Sequence, residues 1–114
     1  MNQERFNAYR IMWIFVFFDL PTETAEERRE ASLFRKRLLK NGFGMFQYSI
    51  YTRHCPSAEH AEKHVAQVRK ILPDKGSVVI TQFTDRQFGA MVVHSGRQRI
   101  APPEQNKYQQ LQFF

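Results

Sequence analysis

A chain of 114 residues has room for one compact domain, because a second would be too small to bury its own core. With 42% hydrophobic and 25% charged residues it is not a disordered chain, and its longest apolar run, the eight residues Ile11 to Phe18, falls far short of the roughly 20 that span a bilayer as a helix. Seventeen Lys and Arg against 11 Asp and Glu leave a net charge of +6, which points to a polyanionic partner.

Met1 to Arg5 lack the charge, apolar stretch and small-residue site of a signal peptide. The single cysteine, Cys55, excludes an internal disulfide and fits a reducing compartment. The expectation is a cytoplasmic protein with no membrane contact.

Residues 1–9 read as a lead-in. The run Ile11 to Phe18 has no polar alternation and predicts a central strand buried on both faces, stopped at Asp19-Leu20-Pro21 because proline cannot donate to a ladder. Thr24-Ala25-Glu26-Glu27 is a capping box that opens a helix with Ala31, Phe34 and Leu38 as its apolar stripe, and Asn41-Gly42 ends it. Its charges run from Glu23, Glu26, Glu27 and Glu30 at the front to Arg35, Lys36, Arg37 and Lys40 at the back, as the helix dipole favours. The same basic cluster, with Arg28 and Arg29 two turns earlier, is a candidate contact for nucleic-acid phosphates.

Phe43 to Arg53 is rich in aromatic and β-branched residues and is extended, either as one strand or as two broken around Gln47 to Ser49. Pro56-Ser57 opens a second helix with Ala58, Ala61, Val65, Val68 and Leu72 on one face, closed by Pro73. Ser77 to Thr84 is a strand, and Asp85-Arg86-Gln87 is a short turn into another strand, Phe88 to His94. Residues 95–107, with Gly96, Pro102 and Pro103, form a connecting arm before a final pairing strand, Tyr108 to Phe114. The order β-α-β-α-β-β plus a C-terminal strand predicts an α+β sandwich, two helices against one face of an antiparallel sheet. Residues 10–94 are then the domain, and 95–114 a C-terminal arm and strand.

Among polar residues Asp19 stands out. At the exit of a central strand a carboxylate is held rigidly yet meets solvent, and such a hard oxygen ligand suits Mg²⁺ or Mn²⁺. The competing role is to end the strand and accept backbone hydrogen bonds in the Leu20-Pro21 turn. One carboxylate makes a poor metal site, whereas a symmetric dimer with Asp19 near its axis supplies two. His54, Cys55, His60 and His64 invite a zinc site. However, Glu62 falls one place too late for an H-E-x-x-H pattern and Lys63 repels a cation, so solvated helix histidines fit better.

Asn41 to Tyr48 resembles the octamer of RNA-recognition motifs, with Asn41 and Met45 where that pattern has a basic and an aromatic residue. In that fold a strand separates the first helix from the octamer, and here the helix runs straight into Gly42. Gly42 as helix terminator with Phe43 and Phe46 in the core is the stronger alternative. No Ser/His/Asp arrangement, phosphate loop or dinucleotide loop is present.

The strand ending Phe17-Phe18-Asp19, the Arg-bearing helix and Gln47-Tyr48-Ser49-Ile50-Tyr51 together resemble the CRISPR-associated "Cas two" proteins. Phe18-Asp19-Leu20-Pro21, with Phe43 to Cys55 and Thr84-Asp85-Arg86-Gln87-Phe88, is similar to members accompanying single-effector, Cas-nine-type systems, and the resemblance spans residues 10–94. It implies a ferredoxin-like sandwich, with Phe43 to Arg53 split into two strands, and a homodimer whose C-terminal strand adds to the partner's sheet.

The resemblance also implies that aspartates at the end of the first strand face each other across the dimer and share one divalent metal. Carried over, Asp19 is the catalytic and metal-holding residue, with Mg²⁺ or Mn²⁺ as cofactor, although no second carboxylate stands beside it. The implied role is spacer acquisition in antiviral defence, as a double-stranded-DNA-binding scaffold that bridges integrase ("Cas one") dimers. Metal-dependent endonuclease cleavage of RNA or DNA phosphodiesters goes with it, single-stranded RNA being the other nucleic-acid partner. Nucleic-acid binding falls to Arg28, Arg29, Arg35, Lys36, Arg37 and Lys40. The contrasting expectation is a single-stranded RNA module stacking bases on Phe43, Phe46 or Tyr48.

Overall fold

The computed structural model describes residues 11–100. Strand β1 (Met12–Asp19) occupies an interior place in a four-stranded sheet of order β2-β3-β1-β4, which explains why its residues are apolar on both faces. Helix α1 (Ala25–Lys40) follows, then β2 (Gly44–Gln47), β3 (Ile50–Cys55), α2 (Ala58–Lys70) and β4 (Ser77–Thr84). All neighbouring strands are antiparallel, so the expected two-helix ferredoxin-like sandwich is the observed architecture, and Phe43 to Arg53 is two strands joined at Tyr48-Ser49.

Local signals set the boundaries. Thr24 accepts from the Glu27 N–H at 3.0 Å while the Glu27 carboxylate accepts from the Thr24 N–H at 3.0 Å, a complete capping box. Ala31, Phe34 and Leu38 are buried as the stripe predicted, and Asn41 caps the end. In α2, Ser57 caps the first turn, with Ala61 and Val68 buried. Leu72, expected on that face, lies beyond the helix and is exposed, because the chain leaves α2 at Ile71. Ala58 is exposed too.

The strand pleat separates two cores. Ile14, Val16 and Phe18 face α1 and α2 and pack with Phe34, Leu38, Phe43, Tyr51, Ala61 and Val68. Trp13 and Phe15 face the other way and pack with Phe46, Phe88 and Val93. That second core rests on a correction. The stretch expected as a strand from Phe88 opens instead with a short helix α3 (Asp85–Gly89), started by a second capping box between Thr84 and Gln87. It places the Phe88 ring flat on Trp13, centroids 3.8 Å apart. The expected connecting arm likewise contains structure, since β5 (Val93–Ser95) and β6 (Gln98–Ile100) form a hairpin around Gly96, whose φ is +62°. The expected lead-in 1–9 and strand Tyr108 to Phe114 lie outside the described residues. No described helix is long and apolar enough to cross a membrane.

Candidate functional site

Asp19 is the last residue of β1 and is exposed, as the rigid exit of a central strand predicts. It pairs with Ser77 and shares its face of the sheet with Phe17 and Val79, the face turned away from α1 and α2. Over Trp13 and Phe15 this face is covered, but towards Asp19 it opens: Phe17 is half-buried and Val79 is 55% exposed. Behind the strand exit stands Gly76, with φ +94°, where an added Cβ would lie 2.7 Å from the Asp19 carbonyl oxygen and 2.7 Å from Leu20 Cδ2. A glycine is required at that close approach.

Among the described residues no three His, Cys, Asp or Glu side chains gather to hold a metal. Within one chain Asp19 therefore offers a single hard oxygen donor. That is too few for a cation that needs an all-protein cage.

The basic residues of α1 divide. Arg28 Nη1 donates to the Thr22 and Glu23 carbonyls at 3.1 and 3.0 Å, tying down the loop that follows β1. Arg35 Nη2 donates to the Tyr48 hydroxyl at 3.1 Å, and its guanidinium lies 4.9 Å from the Tyr48 ring centroid and 5.8 Å from that of Phe18. Arg29, Lys36, Arg37 and Lys40 are exposed, and Arg29, Lys36 and Lys40 fall on one line of the helix opposite its buried stripe.

The histidines are not brought together with Cys55. His54 points to the Trp13 face, edge-on at 5.2 Å, whereas Cys55, the next residue along the strand, is buried in the other core, where burial pushes its thiol up. His60 and His64 are not the solvated side chains expected. Their rings pack 4.6 Å apart with both Nδ1 atoms buried and without hydrogen-bond partners, near Arg53, whose Nη1 donates to the Asn41 carbonyl at 2.8 Å.

Burial, then the Arg53 and His60 charges, hold His64 below the ordinary imidazole value. Burial likewise lowers His54, opposed by Asp85, with Arg53 and His60 adding to the lowering. Both groups bind fewer protons folded than unfolded, so their contribution is present above the unfolded value of about 6.5 and is lost as pH falls below it. Chemical denaturation from pH 7 down to pH 5 should show falling stability, and the slope should be shallower in His64→Gln.

Phe43 and Phe46 are 3% and 7% exposed and cannot stack bases, and the octamer lies on β2 directly after α1. Tyr48, at 75% exposure, is the one of the three that solvent reaches. Its pairing with Arg35 and the approach of Gly76 to Asp19 carry no signal in spacing, since each joins residues from different elements.

The model of the family described as CRISPR associated protein Cas2 matches residues 12–91. The chain belongs to the Cas2 family. A "CRISPR-associated endoribonuclease Cas2" of Flavobacterium psychrophilum is 52% identical over 110 residues, covering 96% of this chain and 94% of that protein. One of the same name from Parvibaculum lavamentivorans is 45% identical over 103 residues, covering 90% of this chain and all of its own length. A solved structure described as "Crystal structure of cas2" superposes with a TM-score of 0.50 at 21% identity, over 75% of this chain and 88% of that one, and supports the Cas2 fold.

Proposed function

We propose that this chain is a homodimeric endoribonuclease of CRISPR systems, in which Asp19 of each copy holds one shared Mg²⁺ or Mn²⁺. The observation that carries this is the position of Asp19: an exposed carboxylate at the open end of an apolar sheet face. A second copy laid over Phe17 and Val79 about a two-fold axis brings the two carboxylates together. The names of the Cas2 relatives supply the reaction class. A metal there would lower the pKa of bound water and offset charge on the attacked phosphate. Asp19 contributes fixed negative charge and an oxygen donor, Gly76 lets the strand exit sit where it does, and Arg28 keeps the following loop in place.

A second role is favoured by the exposed line of Arg29, Lys36 and Lys40, with Arg37 beside it. It suits the backbone of double-stranded DNA and hence a scaffold for spacer acquisition, bridging integrase dimers in the cytoplasm.

Labelled single-stranded RNA incubated with Mg²⁺ or with chelator tests the nuclease. Cleavage should require metal and vanish in Asp19→Ala, whose dimer mass stays unchanged. Cleavage that survives in Asp19→Ala would rule the site out.

A further inference from the structure

The turn between β2 and β3 holds an aromatic ring outwards next to the exit of β1. Ser49 has φ +69°, a left-handed conformation rare outside glycine, and its carbonyl accepts from the Phe18 N–H at 3.0 Å, one residue before Asp19. The turn is therefore fixed to the strand end that carries the candidate catalytic carboxylate. On it Tyr48 is 75% exposed.

Arg35 lies over that ring and donates to its hydroxyl. Among the described residues no carboxylate forms an ion pair with Arg35. The pair thus combines an open π-face with a cation that lacks a counter-charge. A nucleotide supplies both missing partners, a base to stack and a phosphate to neutralise. A paired base inside a duplex hides its faces, so the fitting ligand is a single strand.

We propose that Tyr48 and Arg35 form a subsite for an unpaired nucleotide of single-stranded RNA, Tyr48 stacking the base and Arg35 meeting the adjoining phosphate. The subsite deepens the nuclease reading and rests on it, because the turn that carries Tyr48 is hydrogen-bonded to β1 one residue before Asp19. Tyr48 is a binding residue here, and Phe43 and Phe46 stay in the core.

Fluorescence anisotropy in chelator tests this with a labelled single-stranded RNA and a blunt DNA duplex, every protein carrying Asp19→Ala so that no cleavage intervenes. Tyr48→Ala should weaken RNA binding about tenfold or more, while Tyr48→Trp and Tyr48→Phe keep most of it and duplex binding is unchanged. Unchanged RNA affinity in Tyr48→Ala would overturn the subsite. So would equal losses on RNA and duplex, equal losses in Tyr48→Phe and Tyr48→Ala, or a shift in dimer mass with RNA binding intact, which would assign Tyr48 to a protein contact. The readout needs neither metal nor Asp19, so the subsite and the nuclease site can fail separately.

Discussion

Trp13→Ala should cost about 3–5 kcal/mol, a large share of the roughly 5–15 kcal/mol that holds a small domain folded. The indole is fully buried, its ring lies flat on Phe88 at 3.8 Å and edge-on to His54 at 5.2 Å, and Nε1 donates to Asp85 Oδ1 at 2.8 Å. Removing it empties the centre of the second core and strips the hydrogen bond that helps hold the start of α3. Trp13→Phe should cost less, restoring most of the volume but not the donor to Asp85. Urea unfolding of both variants gives the order directly, and equal losses would place the energy in the hydrogen bond alone.

Gly76→Ala should both destabilise the protein and suppress RNA cleavage. A side chain at φ +94° costs about 1–3 kcal/mol in backbone strain alone, and its Cβ meets the Asp19 carbonyl and Leu20 Cα, which are backbone and cannot step aside cheaply. Gly42→Ala, strained in the same way at φ +85°, differs in what its Cβ meets and lies away from the strand exit. Its Cβ would run into Arg53 Nη1, the far end of a flexible side chain, so Arg53 can swing away and lose its bond to the Asn41 carbonyl. At a temperature where both variants remain folded, cleavage should fall strongly in Gly76→Ala and stay near wild type in Gly42→Ala. Equal activity in the two would separate the strand exit from the chemistry.

What was legible in the sequence was local. Ile11 to Phe18 reads as an interior strand, Thr24 and Glu27 as a capping box that opens a helix, and Pro21 puts Asp19 at a strand exit. The stretch after Thr84 misled because Phe88 to His94 is apolar enough for a strand, whereas the capping pair Thr84 and Gln87 wins locally and sends Phe88 onto Trp13. Residues 98–100 were hidden by the turn residues around them, because a short hairpin takes its apolar contacts from Ile100 against a core built elsewhere. Leu72 fitted the helical period but lies past the point where α2 ends. In the site, Asp19 was readable from one segment. Gly76 against Asp19 and Arg35 against Tyr48 were not, since long-range packing creates both.

The most direct measurement is a calorimetric titration of the protein with Mn²⁺, alongside Asp19→Ala of the same dimer mass. A site shared across the two-fold axis binds one Mn²⁺ per two chains and is lost in Asp19→Ala. One Mn²⁺ per chain, none at all, or binding undiminished in the variant would contradict a metal held between paired Asp19 carboxylates.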